Sequence, residues 1–87
     1  MNTADLIRER LAALQPETFT LEDESAQHKG HAGAASGGGH FRLILVSPRF
    51  RNLSTLARHR LVYETLGELM QREIHALSIT ALTPEEL

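Results

Sequence analysis

Hydrophobic residues recur at helical spacing from Thr3 to Leu14, where Leu6, Ile7, Leu11 and Leu14 share one face. Asn2 or Thr3 supplies an N-cap and Pro16 closes the segment, so the first element is an amphipathic helix. In "ETFTLED", residues 17 to 23, Phe19 and Leu21 alternate with polar neighbours, the period of a half-buried strand. "HFRLILVS", residues 40 to 47, is apolar at both parities through Phe41, Leu43, Ile44, Leu45 and Val46 and stops at Pro48, which marks a central strand. From Ser54 to about Arg72, Leu56, Tyr63, Leu66 and Met70 form one helical stripe flanked by Leu61, Val62 and Leu69. "IHALSITAL", residues 74 to 82, reads as a third strand. In the closing "TPEE", Thr83 can cap, Pro84 takes the first helical position and Glu86 completes a capping box, so a last helical turn begins there.

The order α, β, β, α, β predicts an α+β domain with helices on one face of a three-stranded mixed sheet. The strand, helix, strand run from residue 40 implies a right-handed crossover and a parallel pairing. No internal repeat is present. A chain of 87 residues has enough material for one core, which predicts a single domain over residues 1–87. Residues 24 to 39 are almost free of apolar side chains, and connections that long inside a compact domain are usually functional or disordered. Within them "HKGHAGAASGGGH", residues 28 to 40, holds three of the five histidines and five of the six glycines. A flexible loop rich in histidine and glycine is the expectation.

Composition narrows the function classes. With no cysteine, the chain offers no disulfide and no thiolate ligand of its own. The start "MNTADLIRERL" mixes acids and bases without an apolar run, and no stretch approaches the ~20 apolar residues of a membrane span. A cytoplasmic protein with no membrane partner is the default expectation. A formal charge of -2 argues against a polyanion binder that uses its whole surface, and leaves room for a local basic patch.

Such a patch exists in "SPRFRNLSTLARHR", residues 47 to 60, where Arg49, Arg51, Arg58 and Arg60 bring four positive charges and no negative one. Asn52 and His59 lie in the same stretch. Cations near a helix N-terminus oppose its dipole, so the patch suggests a gain elsewhere: an acidic partner, a carboxylate or a phosphate. Phe50 is the only aromatic beside it, too little for a base-stacking platform. Catalysis has weak support. Ser25, Ser36, Ser47, Ser54 and Ser78 have no nucleophile elbow around them, and "SGGG" precedes a strand where a phosphate cradle would follow one and open a helix. The histidines carry the remaining chemistry, because neutral imidazole binds iron, copper, nickel and zinc.

Together "GGGHFRLILVSPRF", "ARHRLVYETLGELM" and "IHALSITALTPEE" resemble the BolA family, and the similarity runs from about Thr3 to Glu86. "DESAQH" also looks like the start of that family's variable loop. The resemblance implies a class II KH-like fold and partnership with a monothiol glutaredoxin, in which a 2Fe-2S cluster is shared between glutaredoxin cysteine, glutathione and BolA histidine. Carried onto this chain, it makes His75 one ligand and His28 the loop ligand, with His40 the competing candidate. Two departures stand out: Asn52 occupies a position where many members have glycine, and His31 is an additional loop histidine. The resulting expectation is a non-enzymatic adaptor for iron-sulfur trafficking or iron sensing. The alternative, also proposed for the family, is a DNA-binding transcriptional regulator using Arg49 to Arg60. KH folds bind single strands through a GxxG turn, which "FRNLS" lacks.

Overall fold

The computed structural model describes residues 1–25 and 39–87. Helix α1, Thr3–Leu11, starts at a capping box: Asn2 Oδ1 accepts from the Asp5 amide at 2.9 Å, and Asp5 Oδ2 accepts from the Asn2 amide at 3.4 Å. A 3-10 turn, Ala12–Leu14, continues it, and Gln15 in the left-handed region (φ 52°) turns the chain out at Pro16. Strands β1, Thr18–Asp23, and β2, Gly39–Val46, follow. A short 3-10 turn, Pro48–Phe50, leads to helix α2, Thr55–Leu66, which Ser54 caps by accepting from the Ala57 amide. Asn52 takes a left-handed φ of 65°, the backbone state that asparagine tolerates better than most residues and for which glycine is the usual choice.

The sequence predicts one helix from Ser54 to about Arg72, and the structure breaks it. Gly67 (φ 58°, ψ -128°) ends α2 in a conformation that L side chains avoid, and a single turn, α3, Leu69–Arg72, resumes beyond it. Arg10 reaches across from α1 to donate to the Leu66 carbonyl at 3.0 Å, satisfying one acceptor that the break exposes. Strand β3, Ile74–Leu82, and a 3-10 turn, Pro84–Glu86, complete the chain.

Strand order is β1-β2-β3, antiparallel between β1 and β2 and parallel between β2 and β3. The predicted α+β mixed sheet with a central second strand is therefore what forms. Phe41, Leu43 and Leu45 of β2 point into a core shared with Ile7 and Leu11 of α1 and Val62 and Leu66 of α2, while Phe19, Leu21, Leu77 and Ile79 pack at its margin. The alternate residues Thr20, Arg42, Ser78 and Thr80 are exposed, so helices cover one face and leave the other open.

The α2 stripe differs from its sequence reading. Leu56 and Tyr63 are exposed, and the inward row is Val62, Leu66 and Leu69, with Arg58 one turn before Val62. A charged residue occupies an inward position, which is why counting only apolar residues rotates the stripe by one place. Arg58 is accommodated because it donates to the Leu53 and Ala81 carbonyls, at 3.0 Å each, and to both carboxylate oxygens of Glu86, at 2.6 and 3.2 Å. Glu86 also accepts from the Thr83 amide at 2.7 Å, closing the capping box of the last turn.

The Arg58 guanidinium and the Thr83 amide hold the Glu86 carboxyl down at about 2, from an ordinary 4.5. A depressed carboxylate stabilises the fold fully above its unfolded pKa and loses that contribution as pH falls through the folded one. Urea midpoints measured from pH 7 to pH 2 should therefore fall most steeply below about pH 4.5. Glu86→Gln should lower the midpoint at pH 7 and flatten that fall. A drop of unchanged steepness would show that Glu86 is not its source. Packing at the start of β2 gives a second expectation: a Cβ at Gly39 would stand 2.2 Å from the Phe41 ring, which is itself core. Gly39→Ala should cost about 1–3 kcal/mol in denaturant unfolding, the range for overpacking.

Candidate functional site

Register places two of the candidate histidines together. Gly39 pairs with Ile74 and His40 with Ala76, so β3 carries one residue more than β2 at this step, and that residue is His75. A bulge of this kind re-aims a side chain, and bulges are uncommon in parallel pairs. Its effect shows in burial along β3: Ile74 points inward, His75 and Ala76 are consecutively exposed, and Leu77 returns to the core side. His75 consequently stands beside His40, with ring centroids 5.0 Å apart and planes tilted by 39°. The spacing of apolar residues in "IHALSI", three places from Ile74 to Leu77 and then two to Ile79, is the sequence trace of the bulge. A reading for strand alone passes over it.

Hydrogen bonds fix the strand end that carries the pair. The His40 amide donates to Ser25 Oγ at 3.0 Å, and the His40 carbonyl accepts from the Glu24 amide at 2.7 Å. Ser25 is held in turn by its amide donating to Asp23 Oδ1 at 2.9 Å, and these Ser25 contacts lower the Asp23 pKa. On the other side the Gly39 amide donates to the Glu73 carbonyl at 2.9 Å. Glu24, whose carboxylate pairs with Arg42 at 3.1 Å, lines a pocket of about 270 Å³ with His40, Phe41, Ala76, Leu77 and Ser78. The pair and this pocket thus share one edge of the structure.

Two imidazoles on one tetrahedral metal at the usual ~2.0–2.1 Å would have ring centres about 5 Å apart, so the observed spacing suits a single ion taking one nitrogen from each. No group of three or more histidine, aspartate or glutamate side chains able to hold a metal stands together among the described residues. Two nitrogens would fill two positions of a four-coordinate shell, so a metal held by this pair would need further ligands from elsewhere. Any thiolate among them would come from another molecule, because the chain has no cysteine. His28 and His31 lie outside the described residues; His28 is three residues along the chain from Ser25.

The arginine surface is less basic than its sequence suggests. Arg51 forms a paired contact with Glu85, its Nε donating to Oε1 at 2.8 Å and its Nη2 to Oε2, and the Arg51 guanidinium lowers the Glu85 pKa. Arg58 is committed to Glu86 as described. Glu85 and Glu86 are 25 or more residues away in sequence, so a window over residues 47 to 60 cannot show them. Arg49 and Arg60 are exposed and in no ion pair among the described residues, His59 is half-buried and Asn52 is exposed. Phe50 is fully buried and unavailable for stacking on a base. No helix among the described residues is long and apolar enough to cross a membrane.

Comparison with known proteins agrees with this architecture. The family model described as "BolA-like protein" matches residues 11–86. BolA-like protein 1 of Mus musculus is 47% identical over 74 residues, covering 85% of this chain, which spans about half (52%) of the mouse protein. The DNA-binding transcriptional regulator BolA of Escherichia coli (strain K12) is 41% identical over 86 residues, covering 93% of this chain and 79% of that protein. The solved structure of BolA1 from Arabidopsis thaliana superposes with a TM-score of 0.85 at 38% identity, covering 100% of this chain and 98% of the other. With the family model spanning nearly all of the folded core, this chain belongs to the BolA family.

Proposed function

We propose that the chain is a non-enzymatic adaptor that pairs with a monothiol glutaredoxin and supplies imidazole ligands to a shared 2Fe-2S cluster, in iron-sulfur trafficking or iron sensing. The observation that carries this reading is the pair His40, half-buried, and His75, exposed, with ring centres 5.0 Å apart. In this reading His75 is one ligand, and His40 is favoured as the second over His28 because the strand register already brings it alongside. Partner cysteine and glutathione would complete the shell. Histidine in place of thiolate raises a cluster's potential, and imidazole can be protonated near neutral pH, so such a ligand set suits a cluster that is passed on.

A second reading, DNA-binding regulation, is favoured by the name of the E. coli relative. Here it would draw on Arg49 and Arg60, since Arg51 and Arg58 are neutralised. Two phosphate contacts give a log-log salt slope of roughly -2, half of what four free arginines would give.

The deciding experiment is anaerobic cluster reconstitution on a monothiol glutaredoxin with glutathione, with and without this protein, followed by visible circular dichroism. The wild-type chain should change the spectrum, His75→Ala should abolish the change, and His40→Ala should weaken it more than His28→Ala. A spectrum indifferent to the chain would overturn the adaptor reading. Loss with His28→Ala but not with His40→Ala would keep it and move the second ligand to the loop.

A further inference from the structure

At the opposite end of the sheet from the histidine pair, the N-terminal half of α2 carries a shallow groove of about 360 Å³. Leu53, Leu56, Ala57 and Leu61 give it an apolar lining, and Arg60 and Glu64, one turn apart on α2, both line it as well. Leu56 is 60% exposed there, although it is apolar and sits on a well-formed helix. The β2 strand runs from His40 to Val46 between the two ends, roughly 20 Å at 3.3 Å per residue. An occupant of the groove therefore need not touch the histidines.

Charge around the groove says what it fits. Arg51 and Arg58 are held by Glu85 and Glu86, whereas Arg60 has no ion pair among the described residues. The first turn of α2 carries no acidic side chain, so its partial positive charge is not offset from within the helix. The groove thus joins an apolar lining to a cation and a positive helix end toward the start of α2, with Glu64 one turn further along. Nucleic acid matches the charge and not the apolar lining, and buried Phe50 adds no stacking surface. We propose that this groove docks a segment of a partner protein that presents apolar anchors flanked by a carboxylate, the carboxylate meeting Arg60. Such a site makes the chain two-ended, with a protein segment held at the α2 groove while the histidine edge stays open. It stands whether or not the histidines take a cluster.

The test is a titration of the ¹⁵N-labelled full chain with a synthetic amphipathic helical peptide. The peptide has leucines at i, i+3, i+4 and i+7 and flanking glutamates, and its control has lysines in their place. The glutamate peptide should shift the amides of Leu53, Leu56, Ala57 and Leu61, leave those of His40 and His75 unmoved, and bind about tenfold tighter than the lysine peptide, one such charge contact being of that order. Arg60→Glu should reverse the preference, and Leu56→Ser should weaken both peptides about tenfold or more. Both residues are exposed, so the variants should keep the wild-type spectrum elsewhere. Absence of groove shifts, or shifts that ignore the Arg60 charge, would overturn the proposal. So would groove shifts on simple dilution of the chain, which assign the face to a second copy, or groove shifts produced by a DNA duplex and not by the peptide.

Discussion

Parallel pairing of β2 with β3, including the one residue that β3 carries in surplus at His75, is the constraint on which the candidate site depends. Without the surplus, the register Gly39 with Ile74 would set His40 opposite His75, and every later β3 residue would move one place. Leu77, Ile79 and Ala81 would then face outward and Ala76, Ser78 and Thr80 inward, against the core. The bulge lets Ile74 and Leu77 both face the helices, and it leaves His75 and Ala76 together on the open side. The same local irregularity thus restores the inward parity of the rest of β3 while His75 stays beside His40.

Fixing that register requires that the start of β2 not slide. Three hydrogen bonds converge on the backbone of Gly39 and His40, from the Ser25 hydroxyl, the Glu24 amide and the Glu73 carbonyl, two from just past β1 and one from the residue before β3. Gly39 also lies so close to the Phe41 ring that only a hydrogen fits there. The chain can consequently leave at Ser25 and re-enter at Gly39 without disturbing the pair, because both points are tied to the same place on the sheet. The connecting residues here are glycine-rich.

Much of the fold is legible in the sequence because its signals are local. The Asn2 cap, the alternation through Phe19 and Leu21, the prolines that close the first helix, β2 and β3, and the Thr83 to Glu86 box are each legible over a few residues, and the elements they mark form where expected. What escapes a local reading depends on distant partners. Arg58 looks like a surface charge until Glu86 and the Ala81 carbonyl arrive from the end of the chain, and then it is an inward member of the α2 stripe. Reading it as solvent-facing moves Leu56 and Tyr63 into a core they do not enter. Gly67 is visible in the sequence, but its power to end α2 depends on the backbone state it adopts and on Arg10 receiving the freed carbonyl. Of the site, His40 and His75 are each recognisable as residues, while their adjacency is a property of register alone.

Neutralisation of Arg51 and Arg58 by Glu85 and Glu86 changes what the α2 end of the molecule can recognise. Four unpaired arginines would make a phosphate-binding face whose affinity came from charge and fell steeply with salt. Instead Arg58 ties α2, and Arg51 the segment before it, to the last turn, and they leave Arg60 as the unpaired cation in a largely apolar groove that Glu64 also lines. One cation beside a hydrophobic lining discriminates by shape and by the position of one carboxylate, which is protein recognition in character. The acidic last turn therefore does structural and selective work at once: it permits a charged residue in the inward row of α2, and it removes the charge density that would draw polyanions to the same surface.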